Sequence, residues 1–301
     1  MKSKHYSATS GIEWSGNLAE DILENMDKFS LIEFIPENFF SKEIDEYKTN
    51  LFNEIKKRQI PIIVHATQLS MGSLEPFKKD HWHKMIDICK ELPVQSWSDH
   101  LCMTEIGGKT PGQLTPTFYN DDTLVAISEK IKYMQSCVEE PIALENIASA
   151  YHIPQQKYSE TEFINLLQER TGMKLLLDLN NLYVNAMNFG IDPYQYIRQI
   201  NPETIDSVHL AGGFMDEDNF AQDGHNNRVP KPVWELYEYL LQYANRRLPT
   251  IVERTGDNEA GIAPIVEDIT KAQSILDKTF ESDTLIARNQ NYQTSNSEMR
   301  A

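Results

Sequence analysis

Six side chains able to bind metal stand at the ends of short apolar runs: His65, His100, Glu145, Asp178, His209 and Glu253. Asn146 follows Glu145, Asn180 and Asn181 follow Asp178, and a longer polar stretch adds Asp223 and His225 in the run Asp-Gly-His. Imidazole and carboxylate donors without thiolate suit iron, zinc or manganese rather than copper(I), and ligand type alone does not choose among them. Three histidines and three acids exceed what one open catalytic ion uses, so the set reads as a centre for two ions, with a third conceivable.

The elements that must position these groups are strands. Eight runs rich in β-branched and large apolar residues alternate with amphipathic stretches: Ser10–Trp14, Leu31–Pro36, Pro61–Ala66, Val94–Leu101, Pro141–Asn146, Lys174–Leu179, Ile205–Leu210 and Pro249–Arg254. Runs such as Pro61-Ile62-Ile63-Val64 are apolar on both faces, as buried parallel strands are. Leu18–Met26, Asp80–Glu91, Leu124–Val138, Thr161–Arg170 and Val233–Arg246 carry apolar residues at three- and four-residue spacing and read as outer helices. The alternation predicts an α/β fold, a single (β/α)₈ TIM barrel over residues 1–280, followed by a polar tail at 281–301.

In such a barrel the carboxyl ends of the strands converge on one face, where barrel enzymes place their active sites. Carboxylates gathered there without cations would repel one another, and bound ions would stabilise them. A lone His or Asp at a strand end is more often a cap or a turn residue. Convergence of six around one mouth moves the reading to a metal centre. Asn146, Asn180 and Asn181 also fit turns and supporting hydrogen bonds, while Glu33 and Glu37 either orient ligands or form a surface turn with Pro36. His5, His81, His83 and His152 lie outside the pattern, and Trp234 reads as core packing. The loops Thr104–Asp121 and Gly212–Lys231 are long enough to be functional, but their glycine pairs lack a phosphate-binding pattern.

Composition limits the partners. The chain of 301 residues carries 28 Lys and Arg against 45 Asp and Glu, a formal charge of −17 that disfavours nucleic acid and anionic lipid. Cys89, Cys102 and Cys137 share no close spacing, and neither a signal peptide nor a membrane span is legible. A soluble, cytoplasmic protein is expected.

The motifs EFIPENF (Glu33–Phe39), HATQLSMGS (His65–Ser73), SDHL (Ser98–Leu101), LEN (Leu144–Asn146), LDLNNLYVN (Leu177–Asn185), HLAG (His209–Gly212), Asp223–His225 and Val252–Glu253 occur in this order on the predicted strands. From about Gly11 to Glu267 the chain resembles the multinuclear non-haem iron-dependent oxidative enzymes, long catalogued as a family of unknown function. The resemblance implies a barrel of the xylose-isomerase type holding two or three irons in mixed Fe(II)/Fe(III) states. It also implies oxygen-dependent modification of ribosomally made precursor peptides, usually at cysteine, often with a separate leader-binding partner in a heterodimer. By the same resemblance His65 and His100 match ligands of one iron, Glu145 a bridge, and Asp178, His209 and Glu253 the ligands of a second. Asn181, Asp223 and His225 match a third-site region. Many relatives have a second histidine in a H-L-A-G-H run, where this chain has Gly213. The alternatives are a zinc-dependent phosphodiester hydrolase, a manganese- or magnesium-dependent sugar isomerase, or a non-catalytic peptide-binding or metal-storage protein. An isomerase should place a Lys near the metals, and no predicted strand ends on one.

Overall fold

The protein, in a computed structural model that describes residues 9–14, 16–40, 46–254 and 261–280, is a closed barrel of eight parallel strands. The strands are β1 (Ser10–Glu13), β2 (Ile32–Phe34), β3 (Ile62–His65), β4 (Val94–His100), β5 (Ile142–Glu145), β6 (Lys174–Asp178), β7 (Ile205–Leu210) and β8 (Thr250–Val252). Each pairs with its sequence neighbours, and β1 closes the ring against β8. The tail at 281–301 lies outside the described residues, as do residues 1–8.

Nine described helices wrap the barrel: α1 (Ala19–Glu24), α2 (Glu46–Arg58), α3 (Lys79–Cys89), α4 (Asp121–Gln135), α5 (Glu160–Thr171), α6 (Leu179–Phe189), α7 (Pro193–Gln199), α8 (Lys231–Ala244) and α9 (Ala263–Thr279). Local signals fix several of them. Ser159 and Glu162 form a capping box at the start of α5, which stops at Gly172 in the left-handed conformation that glycine adopts without strain. Asn120 and Thr123 cap α4 in the same way. The main apolar core lies between sheet and helices, with Trp82, Phe163 and Tyr237 fully enclosed and Trp234 packed beside them, as its helical spacing predicts.

A second, small apolar cluster of Leu31, Ile63 and Ile251 fills the barrel interior. Strand side chains alternate in direction, so the residues two positions later, Glu33, His65 and Glu253, form the next inward layer. The chemistry-bearing side chains therefore rest on an apolar floor.

The structure corrects the reading at several places. The sixth strand ends at Asp178, and α6 begins at once, so Asn180 and Asn181 lie on the first helical turn and not on a strand end. The two long loops carry short antiparallel pairs, Cys102–Met103 with Thr115–Pro116 and Phe214–Met215 with Ala221–Gln222. Two-residue strands give too little alternation to be read from sequence.

Candidate metal centre

Strand register brings the candidate ligands to one level. His100 lies beside Glu145 across β4 and β5, Asp178 beside His209 across β6 and β7, and Glu13 beside Glu33 across β1 and β2. Four overlapping groups of ligand atoms result, each within 4.8 Å: His65, His100 and Glu145; Glu145, Asp178 and His209; Glu33, His209 and Glu253; and Glu13, His225 and Glu253. Glu145 Oε2 stands 3.3 Å from His65 Nε2 and 3.4 Å from His100 Nε2. On the other side of Glu145, His209 Nδ1 is 3.5 Å from Oε1, with Glu253 Oε1 at 3.2 Å and Asp178 Oδ2 at 3.8 Å. Glu145 and Glu253 thus belong to two groups each.

Neighbouring hydrogen bonds decide which ring nitrogens face inward. Ser98 Oγ donates to the Val64 carbonyl and lies 2.8 Å from His65 Nδ1. That hydroxyl oxygen is then free to accept from Nδ1–H, which leaves the Nε2 lone pair aimed at Glu145. His209 presents Nε2 to Glu33 Oε2 at 2.8 Å and keeps Nδ1 for the cluster. Asp178 divides its oxygens: Oδ1 accepts the Asn181 amide at 2.7 Å and caps α6, while Oδ2 faces His209.

The inward atoms fit metal ions. Glu13 Oε2, Glu145 Oε2, Asp178 Oδ2, His209 Nδ1, His225 Nε2 and Glu253 Oε2 are all buried without a well-formed hydrogen bond, and each belongs to a residue of these groups. Buried polar atoms are rarely left unpaired, and six of them spread over adjoining groups are what a set of ligands looks like. Between them they offer imidazole nitrogen and carboxylate oxygen only, the donor set of iron, zinc or manganese.

The electrostatics point the same way. Burial and the Glu253 and Glu33 carboxylates push Glu13 up to about 8. Burial and the Glu253 and Glu145 charges raise Asp178 well above the usual range. Burial raises Glu145 too, but the imidazoles of His100 and His209 outweigh it and hold the acid down at about 2. Without cations, these acids divide into protonated and ionised members held in balance by histidine. Cations would let all of them ionise.

The structure gathers all nine candidate residues at the mouth. Asn181 donates to Glu145 Oε1 at 3.3 Å and to the Asn146 carbonyl at 3.0 Å. Asp223 accepts from Asn180 at 2.7 Å and lies 2.9 Å from His225 Nε2. Glu37 does sit in a turn with Pro36, the 3-10 turn Pro36–Phe39, but its side chain is buried and accepts the Thr67 and Gln68 amides at 2.9 and 3.2 Å, fixing the backbone after His65. His81, set aside in sequence, contacts the same carboxylate at 3.3 Å from α3. Asp99 likewise accepts the Leu69 amide at 2.9 Å.

Two further acids lie at the same level. Glu33 is fully buried against His209, and Glu13, which the sequence reading passed over, is only 6% exposed and faces His225 and Glu253. A signal for Glu13 exists: an acid two residues after Gly11 in a short strand shares the face of Gly11. At Gly213 a Cβ would stand 1.9 Å from the Gln222 carbonyl oxygen, so the local backbone has no room for any side chain there.

A closed parallel barrel with His and carboxylate clusters at the carboxyl ends of its strands defines the class, a xylose-isomerase-like TIM barrel with sites able to bind metal. Solved structures agree on the fold. A xylose isomerase domain containing protein from Salmonella typhimurium LT2 superposes with a TM-score of 0.59 at 14% identity, over 89% of this chain and 97% of that one. The 3-keto-D-glucoside 4-epimerase YcjR from E. coli gives 0.58 at 11% identity, over 89% and 100%. The chain itself belongs to the family of the RiPP precursor modification enzyme MbnB/TglH/ChrH, whose model matches residues 9–277. Among curated relatives, a UPF0276 protein of Anaeromyxobacter sp. (strain Fw109-5) is 30% identical over 219 residues, covering 73% of this chain and 76% of that protein. A UPF0276 protein of Acaryochloris marina (strain MBIC 11017) is 29% identical over 253 residues, covering 84% and 85%. Among the described residues no helix is long and apolar enough to cross a membrane.

Proposed function

We propose that this protein is an iron- and dioxygen-dependent oxidative enzyme that modifies a ribosomally synthesised precursor peptide at cysteine. One observation carries the metal part: the buried, unpartnered donor atoms of three adjoining groups linked through Glu145 and Glu253. His65, His100 and Glu145 would hold one iron. Asp178, His209 and Glu253, with Glu145 as bridge, would hold the second. Glu13, His225 and Glu253 would hold a third, with Asp223 beside it, while Asn181 supports the bridging Glu145. Glu13 here supplies a donor where Gly213 offers none. Bound iron would supply the electrons for dioxygen reduction and open positions for a peptide thiolate.

The protein's own part is to orient and exclude. Ser98 and Glu33 fix the tautomers of His65 and His209, so both present a lone pair inward. His209 and Asp178 are sealed from solvent, whereas His100 and His225 retain 13% and 20% side-chain exposure. Peptide therefore approaches from the His100 and His225 side. There Phe214 and Met215 stand exposed on the hairpin that leads to His225, an apolar rim for an extended chain. The acidic surface suits a basic leader segment, and a leader-binding partner protein would enlarge the docking surface.

Anaerobic purification with metal analysis and Mössbauer spectroscopy tests the centre: two or three irons per chain are expected, and zinc alone or fewer than two metals overturns the reading. Co-expression with a neighbouring short reading frame rich in cysteine, followed by mass spectrometry, tests the substrate.

A further inference from the structure

Beside the mouth lies a cavity of about 420 Å³ that the metal centre does not use. It sits between the loop after β5 and helices α5, α6 and α7. Asn185 on α6 lines it and ties the loop in place, accepting the Ser149 amide at 2.8 Å and donating to the Ile147 carbonyl at 2.8 Å. Asn185 is one helical turn, about 6 Å along the axis, from Asn181, which touches Glu145. A peptide with a residue at the metals has the cavity within reach of its neighbours.

The lining has a definite chemistry. Tyr119, Tyr151, His152, Tyr158, Phe189 and Tyr196 supply aromatic surface, and Glu160 and Asp192 supply carboxyl groups, with no Lys or Arg among the lining residues. Asp192 is committed to capping α7 through the Tyr194 and Gln195 amides. Among the described residues Glu160 has no cation partner: Tyr119 donates to its Oε1 at 3.2 Å, and the Tyr196 hydroxyl lies against the same carboxyl. That hydroxyl is buried, on a side chain only 5% exposed, and has no well-formed hydrogen bond. Burial pushes the Glu160 carboxyl up to about 7, so a cation entering the cavity would find an acid ready to ionise.

A carboxyl group in a cavity lined with aromatic rings is complementary to an organic cation, which gains from the charge and from the ring quadrupoles together. Resting on the peptide-modifying reading above, we propose that this cavity seats a lysine or arginine side chain of the precursor peptide and thereby sets which residue reaches the metals. The chain's own charge of −17 favours the approach of such a segment.

The test uses the full-length, metal-loaded protein with ring-labelled tyrosine, titrated by NMR with N-acetyl-lysine methylamide and N-acetyl-arginine methylamide. Their neutral counterparts built on norleucine and citrulline serve as controls. Saturable shifts of the cavity tyrosines are expected for the cations, with binding about tenfold or more weaker for the neutral probes. Glu160→Gln should weaken the cations to the level of the neutral probes while retaining its metals. Equal binding of neutral and charged probes, or no saturable shift with either cation at millimolar concentration, overturns the proposal. The probe comparison needs no variant, so it stands even if Glu160→Gln folds poorly. Metal content and peptide mass change, measured separately, report on the oxidative reading, so either idea can fail without the other.

Discussion

Glu33 Oε2 stands 2.8 Å from His209 Nε2 across the barrel interior, with both side chains fully buried. The strands that carry them, β2 and β7, are separated by β1 and β8, so the contact crosses the space beneath the mouth. A carboxylate on the outer nitrogen fixes the ring and makes the inner nitrogen a better donor. Glu33→Ala should therefore lower metal affinity by roughly 10- to 100-fold, with Glu33→Gln milder because an amide oxygen can still accept from Nε2–H. Competition against a chelator, followed by elemental analysis, measures this. Unchanged affinity in Glu33→Ala would reduce the contact to packing.

The same geometry explains what was legible in the sequence. His65, Glu145 and Asp178 each end their strand where an apolar run stops abruptly at a polar residue, and His100 ends the mixed strand Val-Gln-Ser-Trp-Ser-Asp-His. Glu33 and Glu13 were obscured because strand continues, or an aromatic follows, on the opposite face: Phe34 after Glu33 and Trp14 after Glu13. Alternation identifies such residues only once the inward face is known. The contact of Glu33 with His209 spans 176 residues and depends on barrel closure, which no local pattern encodes. Asn181 is legible as a polar residue beyond the sixth strand, but its helical setting is not, because Asp178 both ends β6 and caps α6 with no turn residue between them.

Gly213 and Glu13 make a paired prediction about the third group. Because a Cβ at 213 would meet the Gln222 carbonyl oxygen at 1.9 Å, Gly213→His must displace the hairpin backbone. It should add no metal and should cost about 1–3 kcal/mol of stability. Glu13→Gln, by contrast, should leave the fold intact and reduce the metal count by one per chain. Should Glu13→Gln retain a full complement of metal, the third position is held without it.

Lys130 on α4 is buried and donates to the carbonyls of Ser70, Met71 and Ser73 at 3.1, 3.3 and 2.7 Å. These carbonyls belong to the segment that follows His65 and is also held by Glu37 and Asp99. Lys130→Met fills the volume but leaves the acceptors unmatched, for an expected loss of about 2–3 kcal/mol. Chemical denaturation measures it, and a neutral result would show that water replaces the ammonium.

Burial lifts the Glu160 carboxyl to about 7 from its ordinary 4.5, against the Tyr119 hydrogen bond and the nearby Tyr196 hydroxyl, with His152 and Asp192 on the other walls of the cavity. The folded protein keeps a proton that the unfolded chain releases, so this group's stabilising contribution is full below pH 4.5 and fades as pH rises to about 7. Glu160→Gln cannot ionise. The melting temperature of that variant relative to the parent should rise between pH 4.5 and 7 and level off above. A difference that stays flat across this range means that Glu160 does not titrate there.

Metal removal should be felt by the fold as well as the chemistry. Glu13, Glu33, Glu145, Asp178 and Glu253 crowd one buried layer, and protons on acids and imidazoles must balance them when cations are absent. Ions that bind only the folded barrel stabilise it by mass action, about 4 kcal/mol at a free concentration near a thousand times the dissociation constant. For a chain of this size that corresponds to a melting temperature roughly 6 °C higher in the loaded protein than after chelation. Loading should also release protons, because imidazole nitrogens and carboxyl oxygens must shed theirs to bind a cation. Calorimetric titration in buffers of different ionisation enthalpy counts those protons. Loading that raises stability but releases none would mean that the ions sit elsewhere than on the inward atoms of these four groups.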